Sequence, residues 1–281
     1  MPSHRVTTDA AVDLQMHTTF SDGVWSAREL LDYVANEGFE VIAVTDHDSP
    51  HTTAEIQRLA ALHHPDVHVL AAVEMSSSWD GELTDLLCFG FDPANNALTP
   101  LAERTRQLQR ENVRETYDAL LRKGYRFPRQ HDLLTTSDGE PRQLDDLITL
   151  LTAHGYGDEL GAAINGAGFR WISEEPAAIV DAAHRSGAIC VLAHPGRGDG
   201  FTLYDEPTLA RFRAVAPIDG LEAYYPLHTP EQTAAYLAYA SAHDLLVSAG
   251  SDAHGKPAQW PIKYRAEQSR ALLERLGVAV G

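Results

Sequence analysis

Basic residues are in short supply: 22 Lys and Arg stand against 40 Asp and Glu in 281 residues, a formal charge of −18 at neutral pH. So negative a chain repels long polyphosphate backbones, which argues against long nucleic acid as a partner. Cysteine is scarcer still, limited to Cys88 and Cys190. Each lies in an apolar run (Leu86-Leu87-Cys88-Phe89 and Ala188-Ile189-Cys190-Val191-Leu192) and reads as a small core side chain, so a Cys-x-x-Cys zinc site is absent. No stretch approaches the roughly 18 unbroken apolar residues of a membrane span. Residues 1–13 hold no apolar run behind a basic segment, and the expectation is a cytoplasmic protein with no membrane partner. A Gly-rich Walker loop and a Gly-x-Ser-x-Gly elbow are also missing, which argues against nucleotide-triphosphate motors and serine hydrolases.

What is present is an alternation of short apolar strands and amphipathic helices, the pattern of parallel sheets with crossover helices. Strands are expected at 12–17, 41–45, 67–73 and 85–91, with helices from Ser26 to Gly38 and at 53–62. Ser26 and Glu29 have capping-box spacing. The rhythm breaks between Pro100 and Ile172, where a long charged helix at 101–123 and smaller helical pieces suggest an insertion. It resumes with helices at 176–185, 207–215 and 230–243 and strands at 188–193, 220–224 and 245–249. A hydrophobic content of 44% is enough for a sizeable core. The reading is an α/β barrel formed by 1–99 and 173–281, interrupted by a helical insertion at 100–172 that would act as a substrate cap.

Polar clusters sit just after the expected strands: Gln15-Met16-His17 with Ser21-Asp22-Gly23, Thr45-Asp46-His47-Asp48, Glu74, Ala193-His194-Pro195-Gly196-Arg197 and Ser251-Asp252-Ala253-His254. In α/β barrels the carboxyl ends of parallel strands share one mouth, so such residues converge. Strand alternation puts Gln15 and His17 on one face, and Asp252 and His254 are likewise two residues apart. Imidazole and carboxylate together favour zinc, manganese or iron, and the two oxygens of Glu74 suit it to bridging neighbouring cations.

These motifs, in this order over residues 12–98 and 176–256, resemble the PHP (polymerase and histidinol phosphatase) family. Within it the chain is similar to stand-alone trinuclear phosphoesterases acting on nucleoside monophosphates and 3′,5′-bisphosphates; the segment Glu222–Gln232 with His228-Thr229-Pro230-Glu231 adds to that likeness. The resemblance implies a distorted (β/α)7-type barrel. It also implies that His17, Glu74 and Asp252 serve one metal, Glu74 and His194 a second, and Asp22, His47 and His254 a third. Two positions depart from the subgroup pattern, which has His where this chain has Gln15 and another His where Asp85 aligns. An amide oxygen is a weaker ligand than imidazole for such cations, so two or three divalent metals (Mn, Zn or Fe) are expected per chain, one of them partly held by Gln15.

Three further residues are candidates for the reaction. Arg197, directly after His194-Pro195-Gly196, suits planar capture of two phosphate oxygens. His51 and His228 each follow a motif on a loop and are candidates to protonate a leaving alcohol or hold substrate. The expected reaction is hydrolysis of a small phosphate monoester such as AMP or a nucleoside 3′,5′-bisphosphate, by in-line attack of a hydroxide that the cations generate. The alternatives are the same chemistry on histidinol phosphate, a sugar phosphate, a cyclic phosphate or a short oligonucleotide, or a non-catalytic metal-binding module.

Overall fold

The computed structural model describes residues 4–134, 139–257 and 259–281. Two compact units result, Met1–Ala102 with Glu174–Gly281, and Glu103–Ser173. Among the described residues, no helix is long and apolar enough to cross a membrane.

The larger unit begins with β1 (His4–Val6), β2 (Ala11–Asp13), α1 (Ala27–Glu37), β3 (Val41–Ala43), α2 (Thr53–His63), β4 (His68–Leu70), β5 (Ala72–Trp79) and β6 (Glu82–Phe89). Helix α3 (Leu98–Arg122) then leads into the smaller unit, which contains α4 (Gln130–Leu133), α5 (Leu144–Ala153) and α6 (Leu160–Gly166). The chain returns through α7 (Pro176–Arg185), β7 (Ile189–Leu192), α8 (Glu206–Val215), β8 (Gly220–Tyr224), α9 (Pro230–Ala242), β9 (Leu246–Ala249), β10 (Tyr264–Arg265), α10 (Arg270–Arg275) and β11 (Val278–Val280). Helix α1 starts as its sequence requires: Ser26 Oγ accepts from Glu29 N–H, and the Glu29 carboxylate accepts from Ser26 N–H. Such a cap contributes about 1 kcal/mol. Its Leu30, Leu31 and Val34 are buried on one stripe.

Strand pairing forms a four-stranded sheet in the order β10-β2-β3-β4, a five-stranded sheet β5-β6-β7-β8-β9 and a pair β1-β11. The expected parallel alternation holds for β2-β3-β4 and for β7-β8-β9. It fails at β6, which is antiparallel to both β5 and β7. The reason is local: Asp80 (φ 52°) and Gly81 (φ 88°) make a two-residue reversal between β5 and β6, and so tight a turn joins only antiparallel neighbours. The single strand expected at 67–73 is likewise divided, into β4 and β5 of different sheets. The regular ladders are thus separate sheets, and barrel closure is not established by them. Isolated bridges Met16↔Ala253 and His47↔Glu74 run between the sheets beyond the strand ends.

The larger unit buries its apolar faces in contiguous clusters under these sheets, among them Phe89, Phe212, Leu86 and Leu87 with no exposed surface. Removing each such side chain from water contributes about 1.5–3 kcal/mol. Cys88 and Cys190 face each other across β6 and β7, buried and free. The smaller unit has its own core of Val113, Leu120, Leu147, Leu150 and Leu151 under Tyr117 and Phe127.

Candidate metal centre

Apart from Glu74 on β5 and Asp85 on β6, the polar residues at issue sit on the irregular extensions that follow the strands, where backbone hydrogen bonds fix their position. Leu14 N–H donates to Ala249 O (3.0 Å), Asp252 N–H to Gln15 O (3.0 Å) and His17 N–H to Ala253 O (2.8 Å), tying the segment after β2 to the one after β9. Glu74 N–H donates to Thr45 O (3.0 Å) and Asp48 N–H to Glu74 O (2.8 Å), tying the segment after β3 to β5. Along Leu14-Gln15-Met16-His17 the side chains alternate. Leu14 and Met16 enter apolar cores, while Gln15 and His17 share the other, equally buried face. Asp48 (φ 47°), His194 (φ 27°) and Asp252 (φ 55°) lie in the left-handed region, which costs a non-glycine residue about 1–3 kcal/mol and concentrates at functional sites.

Glu74, fully buried on β5, is the hub. Its Oε1 lies 3.1 Å from His194 Nε2, and its Oε2 lies 3.1 Å from His17 Nε2 and 3.8 Å from His47 Nε2. Gln15 Nε2 donates to both oxygens, at 3.1 and 3.0 Å. His17 Nε2 is also 3.1 Å from Asp252 Oδ1. On the far side of His17, Asp22 Oδ2 is 3.0 Å from His254 Nε2, and the His17 ring stacks between His47 and His254, with centroids 4.9 and 4.3 Å away. Among the described residues, three groups have donor atoms within 4.8 Å of one another: His17, Asp22, His47 and His254; His17, Glu74 and Asp252; and His47, Glu74 and Asp85. They share His17, His47 and Glu74, so the three are one continuous constellation. His194 joins it through Glu74.

No protein-family profile matches the chain. Individual relatives do. A 5′-3′ exoribonuclease of Haemophilus influenzae is 28% identical over 256 residues, covering 86% of this chain and 89% of the relative. A 3′,5′-nucleoside bisphosphate phosphatase of Chromobacterium violaceum is 27% identical over 261 residues, 87% of each. A solved structure of a candidate metal-dependent phosphoesterase from Bifidobacterium adolescentis superposes with a TM-score of 0.78 at 22% identity, over 98% of this chain and 97% of that one. In fold and in sequence the chain is similar to PHP-like metal-dependent phosphoesterases.

Electrostatics in this site are those of a cage short of positive charge. Burial drives the Asp85 carboxyl up, the Glu74 carboxylate adds to it, and the group is pushed to about 7. Burial opposes protonation of His47, but Glu74 and Asp22 outweigh it and raise the imidazole to about 9. His17 is likewise raised well above its ordinary value against the effect of burial, by Asp252 and Glu74. Glu74 and Asp22 are held well below theirs despite burial, Glu74 by His47, His17 and His194, and Asp22 by His47, His254 and His17. Protons on the imidazoles thus supply the charge that a divalent cation would supply, and the two compete for the same lone pairs. The orphaned atoms point the same way: His17 Nδ1, His47 Nδ1 and Gln15 Oε1 are buried without a hydrogen-bond partner. Two are imidazole nitrogens and one an amide oxygen, and all three suit a cation.

The remaining expected residues divide. Arg197 Nη1 donates to Asp252 Oδ2 (3.2 Å), and its guanidinium lies 4.2 Å from the Phe201 ring centroid. Asp85, on β6 opposite Ser76, is inside the constellation. His51 is exposed on the short turn Pro50–Thr52 that follows the His47 segment. His228 differs from the expectation of a proton donor: Nδ1 lies 3.0 Å from Ala223 O and Nε2 accepts from Gly196 N–H at 3.0 Å, so backbone groups occupy both nitrogens. Burial also holds its pKa below the ordinary value.

Several polar residues of the site were not among the expected ones. Glu222 on β8 is fully buried, accepts from His194 N–H (3.0 Å) and is pushed well above the carboxylate range by burial and by Asp252 and Glu74. Its signal is a lone acid in the otherwise uncharged strand Gly220–Tyr224. Tyr225 Oη donates to Asp252 Oδ2 at 3.3 Å. Asp46 accepts from Thr18 N–H (2.7 Å), Thr18 Oγ1 (2.8 Å) and Ser21 Oγ (2.8 Å), fixing the loop that carries Asp22.

Proposed function

We propose that this chain hydrolyses a small phosphate monoester, a nucleotide such as AMP or a nucleoside 3′,5′-bisphosphate. The observation that carries the reading is the convergence on one buried carboxylate, Glu74, of Gln15 and His17, His47 and His194 from three separate segments of the chain. Gln15, His17, Asp22, His47, Glu74, Asp85, His194, Asp252 and His254 are the residues we assign to holding two or three divalent cations. When bound, the cations lower the pKa of water and neutralise phosphoryl oxygens, the two requirements for an ester that hydrolyses very slowly unaided. A (β/α)7-type barrel mouth at this point is supported by the isolated bridges between the sheets.

The side chains around the cage supply orientation and charge. Arg197 offers parallel N–H bonds to two phosphoryl oxygens and balances the charge that grows on them in the transition state. Phe201, stacked under the guanidinium, keeps one face dry and so strengthens that interaction. Tyr225 and Arg197 both donate to Asp252 Oδ2, leaving Oδ1 for the His17 side of the cage. His51 is assigned to the leaving oxygen. Selection of the ester is assigned to the inserted unit, residues 103–173.

A second substrate, the 5′ end of a short RNA, is favoured by the likeness to the Haemophilus exoribonuclease. The net charge of −18 weighs toward the small nucleotide. Metal content by elemental analysis, with phosphate release from AMP, adenosine 3′,5′-bisphosphate, p-nitrophenyl phosphate and a 5′-phosphorylated RNA oligomer, tests both. Asp252→Asn and His194→Ala should abolish turnover with the fold kept. A manganese-loaded wild type inert toward all four substrates sinks the proposal, as do wild-type rates in either variant.

A further inference from the structure

His194 and Arg197 occupy one short turn, and that turn does not hold its own shape. Its first residue carries a left-handed φ of 27°. Arg197 N–H donates to His194 O (2.9 Å), but every other polar backbone contact of the turn comes from outside it. His194 N–H donates to Glu222 Oε2 (3.0 Å), Gly196 N–H to His228 Nε2 (3.0 Å), and Gln232 Nε2 donates to Gly196 O (3.1 Å). Tyr204 N–H donates to Pro195 O at 2.9 Å.

The state of the His228 ring follows from its partners. A carbonyl oxygen only accepts, so the 3.0 Å contact with Ala223 O puts the proton on Nδ1. Nε2, facing an N–H, keeps its lone pair. Protonating Nε2 would break the bond to Gly196. The ring edge also packs against Gly196: a Cβ built there would stand 2.7 Å from His228 Cδ2, 2.9 Å from Nε2 and 2.8 Å from Gln232 Nε2. Gln232 itself is fixed, because it is the third residue of the α9 capping box with Thr229. Hydrogen bonding and close packing therefore converge on the same turn from the start of one helix.

We propose that His228 is a positioning residue: in its Nδ1–H tautomer it clamps the His194–Arg197 turn together with Glu222 and Gln232, aiming the imidazole at Glu74 and the guanidinium at Asp252. This deepens the phosphoesterase reading and rests on it for the roles of His194 and Arg197. The clamp itself is testable without turnover. Nitrogen-15 NMR of histidine-labelled protein should show Nδ1 protonated and Nε2 bare at neutral pH, and the Gly196 amide should be protected from exchange in wild type and exposed in His228→Ala. The variant should also bind inorganic phosphate and manganese about tenfold more weakly, the usual scale for losing a group that orients a ligand, while the basic limb of its pH–rate profile stays where it is in wild type. His228→Gln, which keeps an acceptor, should recover part of the phosphate affinity. A proton on Nε2, a Gly196 amide still protected in His228→Ala, or loss of the basic limb with metal and phosphate affinity intact overturns the clamp. An inert, metal-loaded wild type would overturn the parent reading, while the NMR and exchange results still decide the clamp.

Discussion

Adding one methyl group at Gly23 should dislocate the Asp22 loop. A Cβ there would stand 2.5 Å from His17 O, 2.6 Å from His17 C and 2.7 Å from Thr18 N. These are backbone atoms, and no rotamer change moves them. Reaching 3.0 Å, below which such contacts are essentially never seen, requires the closest pair to separate by half an ångström (3.0 − 2.5). The loop cannot yield freely, because Gly23 N–H donates to Thr18 O (3.0 Å) and Val24 N–H to His254 O (2.9 Å). Overpacking against so fixed a neighbour costs about 1–3 kcal/mol, and in a chain of this size each kilocalorie lowers Tm by roughly 2–4 °C. The carboxylate displaced is Asp22, now 3.0 Å from His254 Nε2. A shift of about 0.5 Å reaches the tolerance of a ligand constellation, so manganese affinity should fall about tenfold or more. Titration calorimetry with manganese and a thermal melt of the chelated protein measure the two effects. Gly161→Ala in α6, where nothing lies within 4 Å of the added carbon, is the control and should stay within about 0.5 kcal/mol of wild type. A Gly23→Ala protein that melts and binds manganese like wild type refutes the reasoning.

Chelated protein should lose stability as pH rises. Asp85 (about 7, ordinarily 3.8) and His47 (about 9, ordinarily 6.5) both bind protons more tightly when folded. The stability they add is complete below the ordinary values and disappears as pH passes the folded ones, at about 1.4 kcal/mol per pH unit for each group. The depressed Glu74 and Asp22 act in the opposite sense, but only below about pH 5, near the ordinary carboxylate range. Urea midpoints should therefore fall between about pH 5 and pH 9, and manganese should flatten the slope by displacing the protons; equal midpoints without metal would contradict this. Arg197→Ala should raise the Ki of inorganic phosphate by about tenfold or more, as expected for losing a charge-assisted pair, and an unchanged Ki removes Arg197 from the phosphate. Gln15→His replaces the amide that donates to Glu74 with a stronger ligand, and metal retained after dialysis should rise; unchanged content argues against Gln15 standing at a weak site.

Much of the outer architecture is legible in sequence because local rules govern it. The α1 boundaries follow from Ser26, Glu29 and Gly38, and strand β8 spans the expected 220–224 because an uninterrupted short run meets turn signals at both ends. The topology around β5 and β6 was not legible in the same way. An apolar run such as Leu86–Phe89 has no direction written in it, and the antiparallel pairing of its strand with β5 is decided by the reversal at Asp80-Gly81. The β1–β11 pair joins residues more than 270 positions apart (278 − 4 = 274), beyond any local pattern.

For the site, strand-end position carried the information. His17, Glu74 and Asp252 stand where the strands deliver them, and their motifs show it. Glu222 escapes that logic, because no other polar site residue flanks it in its strand and its importance comes from the His194 N–H that it accepts. His228 shows the other side: a histidine on a loop after a strand reads in sequence as a candidate for proton transfer or substrate binding, and the two backbone partners of its ring are visible only in the fold.

One consequence concerns chain length. The smaller unit leaves after β6 and returns before β7, two strands already joined by their own ladder, Leu86–Phe89 against Ile189–Leu192. A stretch with a single entry and a single exit is a cassette: its length can change without cutting the hydrogen bonds on either side. All nine residues assigned to the cations lie outside it, so a change of sequence or length within the cassette alters none of them.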